Sequence, residues 1–99
     1  MEIQITTHKI TAHRALRSFI IDALAAALER FVALIAVAHV EISDRNGRRG
    51  GGDKRCRIRL ELKAGQPVLV EDVAANPRRA IVHAASRAQA AVRNQLRTS

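Results

Sequence analysis

Arg55, Arg57 and Arg59 occupy every second position of a stretch in which Cys56, Ile58, Leu60 and Leu62 fill the places between. Strict alternation marks an extended strand whose successive side chains point to opposite faces. The three guanidinium groups therefore share one face at intervals of about 6.6 Å. Phosphates along a nucleic-acid strand are spaced similarly, and guanidinium offers them a planar fork of donors. Lys54 and the loop residues Arg48 and Arg49 extend the row, and Gly50-Gly51-Gly52 lets that loop approach RNA closely. A second row, Arg79, Arg87 and Arg93, is expected to grip another segment from the polar side of a C-terminal helix. These nine residues are the candidate RNA-binding set. Release of counterions from several phosphates would supply most of their affinity and make it steeply salt-dependent.

Other chemistry is poorly served. The chain has no Tyr and no Trp, and both Phe19 and Phe31 fall on an apolar helix stripe. Base stacking on aromatic rings therefore gives way to recognition by shape and backbone. Cys56 sits on the apolar side of its strand, the place of a small core residue. His8, His13, His39 and His83 lack metal-ligand spacing, so no zinc or other metal is expected. His39 is expected on the open sheet face beside the arginines. Gly47 to Lys54 is not a phosphate-binding loop of the nucleotide-hydrolase type. Asp53 precedes Lys54, no Ser or Thr follows, and a strand rather than a helix comes next. Glu41, Glu61 and the adjacent Glu71 and Asp72 are spread over three separate strands, and pairing them as catalytic carboxylates has no support. An enzyme is the weakest reading, and no cofactor or small-molecule substrate is implied.

The charge is large and uneven. Seventeen Lys and Arg against nine Asp and Glu give +8, and three of the seventeen are lysine. Residues 1–44 carry four basic and five acidic groups, net −1, whereas residues 45–99 carry thirteen and four, net +9. This asymmetry suits a polyanionic partner. The longest apolar run, Phe31 to Ala38, is too short to span a membrane, which takes about 20 residues. The start Met-Glu-Ile-Gln-Ile has neither a basic stretch nor an apolar signal core, and a single cysteine fits a reducing cytoplasm.

The positioning elements follow from periodicity. Residues 2–6 alternate as a strand with one buried face. Residues 12–32 place Leu16, Ile20, Leu24, Leu28 and their neighbours on one helical stripe, with Thr11 as the expected N-cap. Residues 35–43 form a second strand, with Ala38, Val40 and Ile42 on one face and His39, Glu41 and Ser43 on the other. A turn-rich, flexible loop spans 44–53. Strands follow at 54–63 and 68–73. Asn76 then caps a helix with Pro77 at its first position. Its apolar side is Ala80, Ile81, Ala84, Ala85, Ala88, Val92 and Leu96, and its polar side Arg79, His83, Arg87, Arg93 and Arg97. The expected fold is α+β, in the order β-α-β-β-β-α. It is a four-stranded mixed sheet with two helices packed on one face, in a single domain 1–99.

Taken together, Ile3-Gln4-Ile5-Thr6, Ala15-Leu16-Arg17, Leu28-Glu29-Arg30-Phe31, Val40 to Gly47, Gly52 to Cys56 and Ala80-Ile81 resemble the ribosome hibernation-promoting factor family, also called the ribosome-associated inhibitor or sigma-54 modulation family. The resemblance is to a short, divergent form. It departs after Glu71-Asp72, where Val73 to Pro77 stands in place of the family's tyrosine. The resemblance implies a cytoplasmic, non-enzymatic stress factor that binds 16S rRNA of the small ribosomal subunit. Such a factor inhibits translation by blocking the mRNA–tRNA channel. It implies no cofactor; no membrane association is expected, and the C-terminal dimerisation domain of the family's long form is not expected in this chain. The residues alone leave open a basic protein-interaction or regulatory module on the same scaffold, and they leave the oligomeric state open.

Overall fold

The computed structural model describes residues 1–44 and 53–98. Its elements run β1 (Glu2–His8), α1 (Arg14–Leu28), β2 (Ile35–Asp44), β3 (Lys54–Leu62), β4 (Val68–Ala74) and α2 (Pro77–Thr98), with a 3₁₀ segment at Glu29–Leu34 between α1 and β2. The strands form one sheet in the order β1-β2-β3-β4. β1 and β2 are parallel, as the α1 crossover allows, and the other two pairs are antiparallel. The expected architecture is the observed one. Residues 45–52, and with them Arg48, Arg49 and most of the expected flexible loop, lie outside the described residues.

Both helices cover the same sheet face. Leu16, Ile20, Leu24 and Leu28 of α1 meet Ala38, Val40 and Ile42 of β2 and Cys56, Ile58 and Leu60 of β3 in one core. Full burial of each Leu or Ile contributes about 1.5–3 kcal/mol. α2 adds Ala80, Ile81, Ala84, Ala85, Ala88 and Val92. Its alanines let the backbone lie close to β3 and β4, whereas Leu96, at the far end of the same stripe, is 41% exposed.

The two helices run side by side in the same direction. The Arg78 guanidinium stacks over the Phe19 ring at 4.8 Å from its centroid. Further along both helices, Ala23 and Ala27 of α1 line a shallow groove together with Val82, Ala85 and Gln89 of α2. At the helix starts, His13 borders a cavity of about 290 Å³ together with Asn76, Pro77 and Arg78.

The ends of the elements differ from expectation where local chemistry decides. Lys9 takes φ 60 after β1, and the turn it opens consumes the residues to His13. The cap is therefore His13 rather than Thr11: its Nδ1 accepts the Leu16 amide at 3.2 Å. α1 ends at Leu28 instead of continuing to 32, and the chain tightens into the 3₁₀ segment. Asn76 behaves as expected, its Oδ1 accepting the Arg79 amide at 2.9 Å.

Candidate nucleic-acid interface

Strand parity puts Arg55, Arg57 and Arg59 on the sheet face away from the helices, as expected. Register then decides what surrounds them. Arg57 lies between Glu41 on β2 and Glu71 on β4, Arg59 between His39 and Leu69, and Arg55 between Ser43 and Val73. Arg57 donates to Glu71 Oε2 from Nε at 3.3 Å and from Nη2 at 3.2 Å. Arg55 reaches Glu41 at 3.5 Å and Glu71 at 3.8 Å. Glu61 takes Arg59 at 3.9 Å and lies 3.6 Å from His39 Nε2. Carboxylates on separate strands in the sequence are thus brought onto one face, where they alternate with the arginines.

This lattice changes the reading of the row. Each pair is partly exposed, and such pairs contribute only about 0–1 kcal/mol. A phosphate can displace a carboxylate at little cost. The local field before displacement is nevertheless near balance, because three guanidinium groups are shared among three glutamates. Lys54 does not extend the row. It has the parity of Cys56 and Ile58, so it points to the helix side, and its Nζ pairs with Asp44 at 3.3 Å.

The α2 arginines present a different surface. The helix begins after Asp72, the last acidic residue of the sequence. Arg79, Arg93 and Arg97 are exposed and, at 100° per residue, share the side turned away from the sheet. Among the described residues none of them takes part in an ion pair with a carboxylate. Arg87 lies about 80° round the helix from Arg79 and binds Asp72 of β4 at 3.1 Å, although its own side chain is 65% exposed. Of the helix residues expected in the site, Arg79 and Arg93 therefore stand together, and Arg87 is partly engaged by the sheet edge. Arg97, which joins the outward side, was legible from the same periodicity. Arg78 was not, because its role depends on Phe19 arriving from α1.

Cys56 is buried beneath this surface. Burial, and then the nearby Asp72 charge, push its thiol from 9.0 up to about 12, which keeps it protonated and unreactive. Among the described residues no group of three or more His, Cys, Asp or Glu side chains is placed to hold a metal ion. No helix among them is long and apolar enough to cross a membrane.

The chain belongs to the family described as Sigma 54 modulation protein / S30EA ribosomal protein, which matches residues 3–98. Among solved structures it is similar to the N-terminal domain of Thermus thermophilus Protein Y. That likeness has a TM-score of 0.77 at 25% identity, covering 95% of this chain and 98% of that one. A ribosomal subunit interface protein from Coxiella burnetii shares the fold, with a TM-score of 0.79 at 14% identity over 97% of this chain and 99% of the other. No curated protein is significantly similar to the chain in sequence.

Proposed function

We propose that this protein is a ribosome-binding translation inhibitor, a hibernation factor that acts in the cytoplasm without catalysis. It binds 16S rRNA of the small subunit and occludes the channel used by mRNA and tRNA. The observation that carries this reading is the outward side of α2, where Arg79, Arg93 and Arg97 stand without carboxylate partners among the described residues, in a chain of the S30EA ribosomal protein family. The sheet row of Arg55, Arg57 and Arg59 is the second contact, engaged when phosphates replace Glu41, Glu61 and Glu71. Arg87 joins the helix contact by exchanging Asp72 for phosphate. Arg48 and Arg49 border the sheet row in sequence and are proposed to contribute to it. Lys54, paired with Asp44, supports the strand end instead.

The mechanism is steric. A sheet-and-helix unit with principal extents of 44 × 24 × 17 Å fills space that a translating ribosome needs. Affinity comes from counterion release at several phosphates, so it falls steeply with salt. Co-sedimentation with ribosomes across a salt series tests the reading. Co-migration with small subunits at low salt, lost as salt rises, is expected. Failure to co-migrate at low salt would overturn it, and equal binding to unrelated polyanions would support a general basic interaction module.

A further inference from the structure

β1 is an edge strand. Among the described residues it pairs with β2 alone, which leaves the backbone donors and acceptors of its other side unpaired over Glu2–His8. Edges of this kind are usually blunted by proline, a bulge or an inward-pointing charge. β1 has none of these. Its sequence is Glu-Ile-Gln-Ile-Thr-Thr-His, and its register with β2 runs unbroken from Glu2 to His8.

The same strand is complementary to a second copy of itself. In an antiparallel pair related by a two-fold axis at Ile5, Glu2 faces His8 of the second copy, Gln4 faces Thr6, and Ile5 faces Ile5. All exposed β1 side chains, Glu2, Gln4, Thr6 and His8, thus find a hydrogen-bonding or ionic counterpart, and each does so twice. Directly opposite side chains are the unit of such pairing. The Gln4 amide already holds the Glu2 carboxylate on this face, donating from Nε2 to Oε2 at 2.6 Å. The strand also ends cleanly: Lys9, with φ 60, turns the chain away immediately after His8.

Apolar surface lies along the same margin. Met1, Ile3, Ile5 and Ile10 pack against the core but stay partly exposed. Ile21 of α1, on the flank turned away from α2, is 45% exposed. A second copy docked edge to edge would cover these side chains on the helix side of a continuous eight-stranded sheet.

We propose that β1 is a homodimerisation edge, and that its occupant is the β1 strand of a second copy in the antiparallel register that sets Glu2 against His8. The arginine side of α2 lies on the far flank and stays open in this arrangement, so the dimer does not depend on the rRNA reading.

Sedimentation velocity over a concentration series is the test, with variants confined to the exposed side chains of β1. The wild-type chain is expected to self-associate. His8→Glu sets two acids against each other at both ends of the pair and should weaken self-association by about tenfold, a like-charge pair then standing at each of two cross-strand positions. Glu2→Lys combined with His8→Glu restores opposite charges and should recover it. β1 amides should also exchange more slowly with solvent as concentration rises. A wild-type chain that stays monomeric throughout, a His8→Glu variant that associates unchanged, or a double variant that fails to recover would each overturn the proposal. Far-ultraviolet circular dichroism keeps loss of folding apart from loss of pairing.

Discussion

Two arginine surfaces of this molecule contain similar numbers of guanidinium groups and have different electrostatic character. On β3 the arginines are spaced for a phosphate backbone, yet each meets a carboxylate supplied by its own strand or a neighbouring one. On the outward side of α2 the spacing is looser, and no acidic residue follows Asp72 to compensate the charge. The difference shows that a basic row in a sequence is not yet a basic surface. Strand register imports the opposite charge from residues far away in the chain. The outward side of α2, which no strand flanks, receives no such import among the described residues, whereas Arg87, nearer the sheet, still meets Asp72.

The comparison breaks most readily at α2. Arg79→Glu combined with Arg93→Glu should weaken ribosome binding by about a hundredfold at moderate salt, because each lost phosphate contact is worth roughly tenfold there. The salt dependence should become shallower by about two contacts, and co-sedimentation measures both. An undiminished affinity would transfer the binding role to the sheet. Glu71→Gln probes the other surface by releasing both Arg55 and Arg57 from their shared carboxylate. If phosphates do replace that glutamate, affinity should rise roughly threefold, the scale of an exposed ion pair. No change would leave the sheet face out of the interface.

Smaller effects separate charge from support. Asn76→Ala keeps every arginine and removes the cap that accepts the Arg79 amide. Urea denaturation should show a loss of about 1 kcal/mol, with ribosome affinity nearly unchanged for the folded protein. Arg78→Ala and Arg79→Ala then contrast adjacent residues. The first removes the stacking on Phe19 and should cost about 0.5–1 kcal/mol of stability. The second should leave the denaturation midpoint in place and lower ribosome affinity instead.

Much of the fold was legible because two periods carry it. Alternation at Arg55 to Leu62 and the three-to-four-residue stripe at Leu16, Ile20, Leu24 and Leu28 each bury one face, and the buried residues are those the pattern marks. Asn76-Pro77 specified a helix start by its own chemistry. Thr11 misled, because the turn opened by Lys9 is set by backbone conformation and not by any side-chain preference that the sequence displays. The site was legible in part. The parity of Arg55, Arg57 and Arg59 named their face, and also placed Glu41 beside His39 and Glu61 beside Arg59. That Glu71 would join them depended on the β3–β4 register, which alternation alone does not fix. Lys54 leaves that face for a simpler reason: its even number places it with Cys56, on the side of Asp44.

The parallel run of α1 and α2 has a consequence for how the molecule approaches a partner. Peptide dipoles in helices that lie side by side in the same direction add instead of cancelling, and each contributes about half an elementary charge at its start. That positive potential is confined to the first turns of the two helices and is screened by salt, so together they favour an anionic group placed at the end bearing His13 and Asn76.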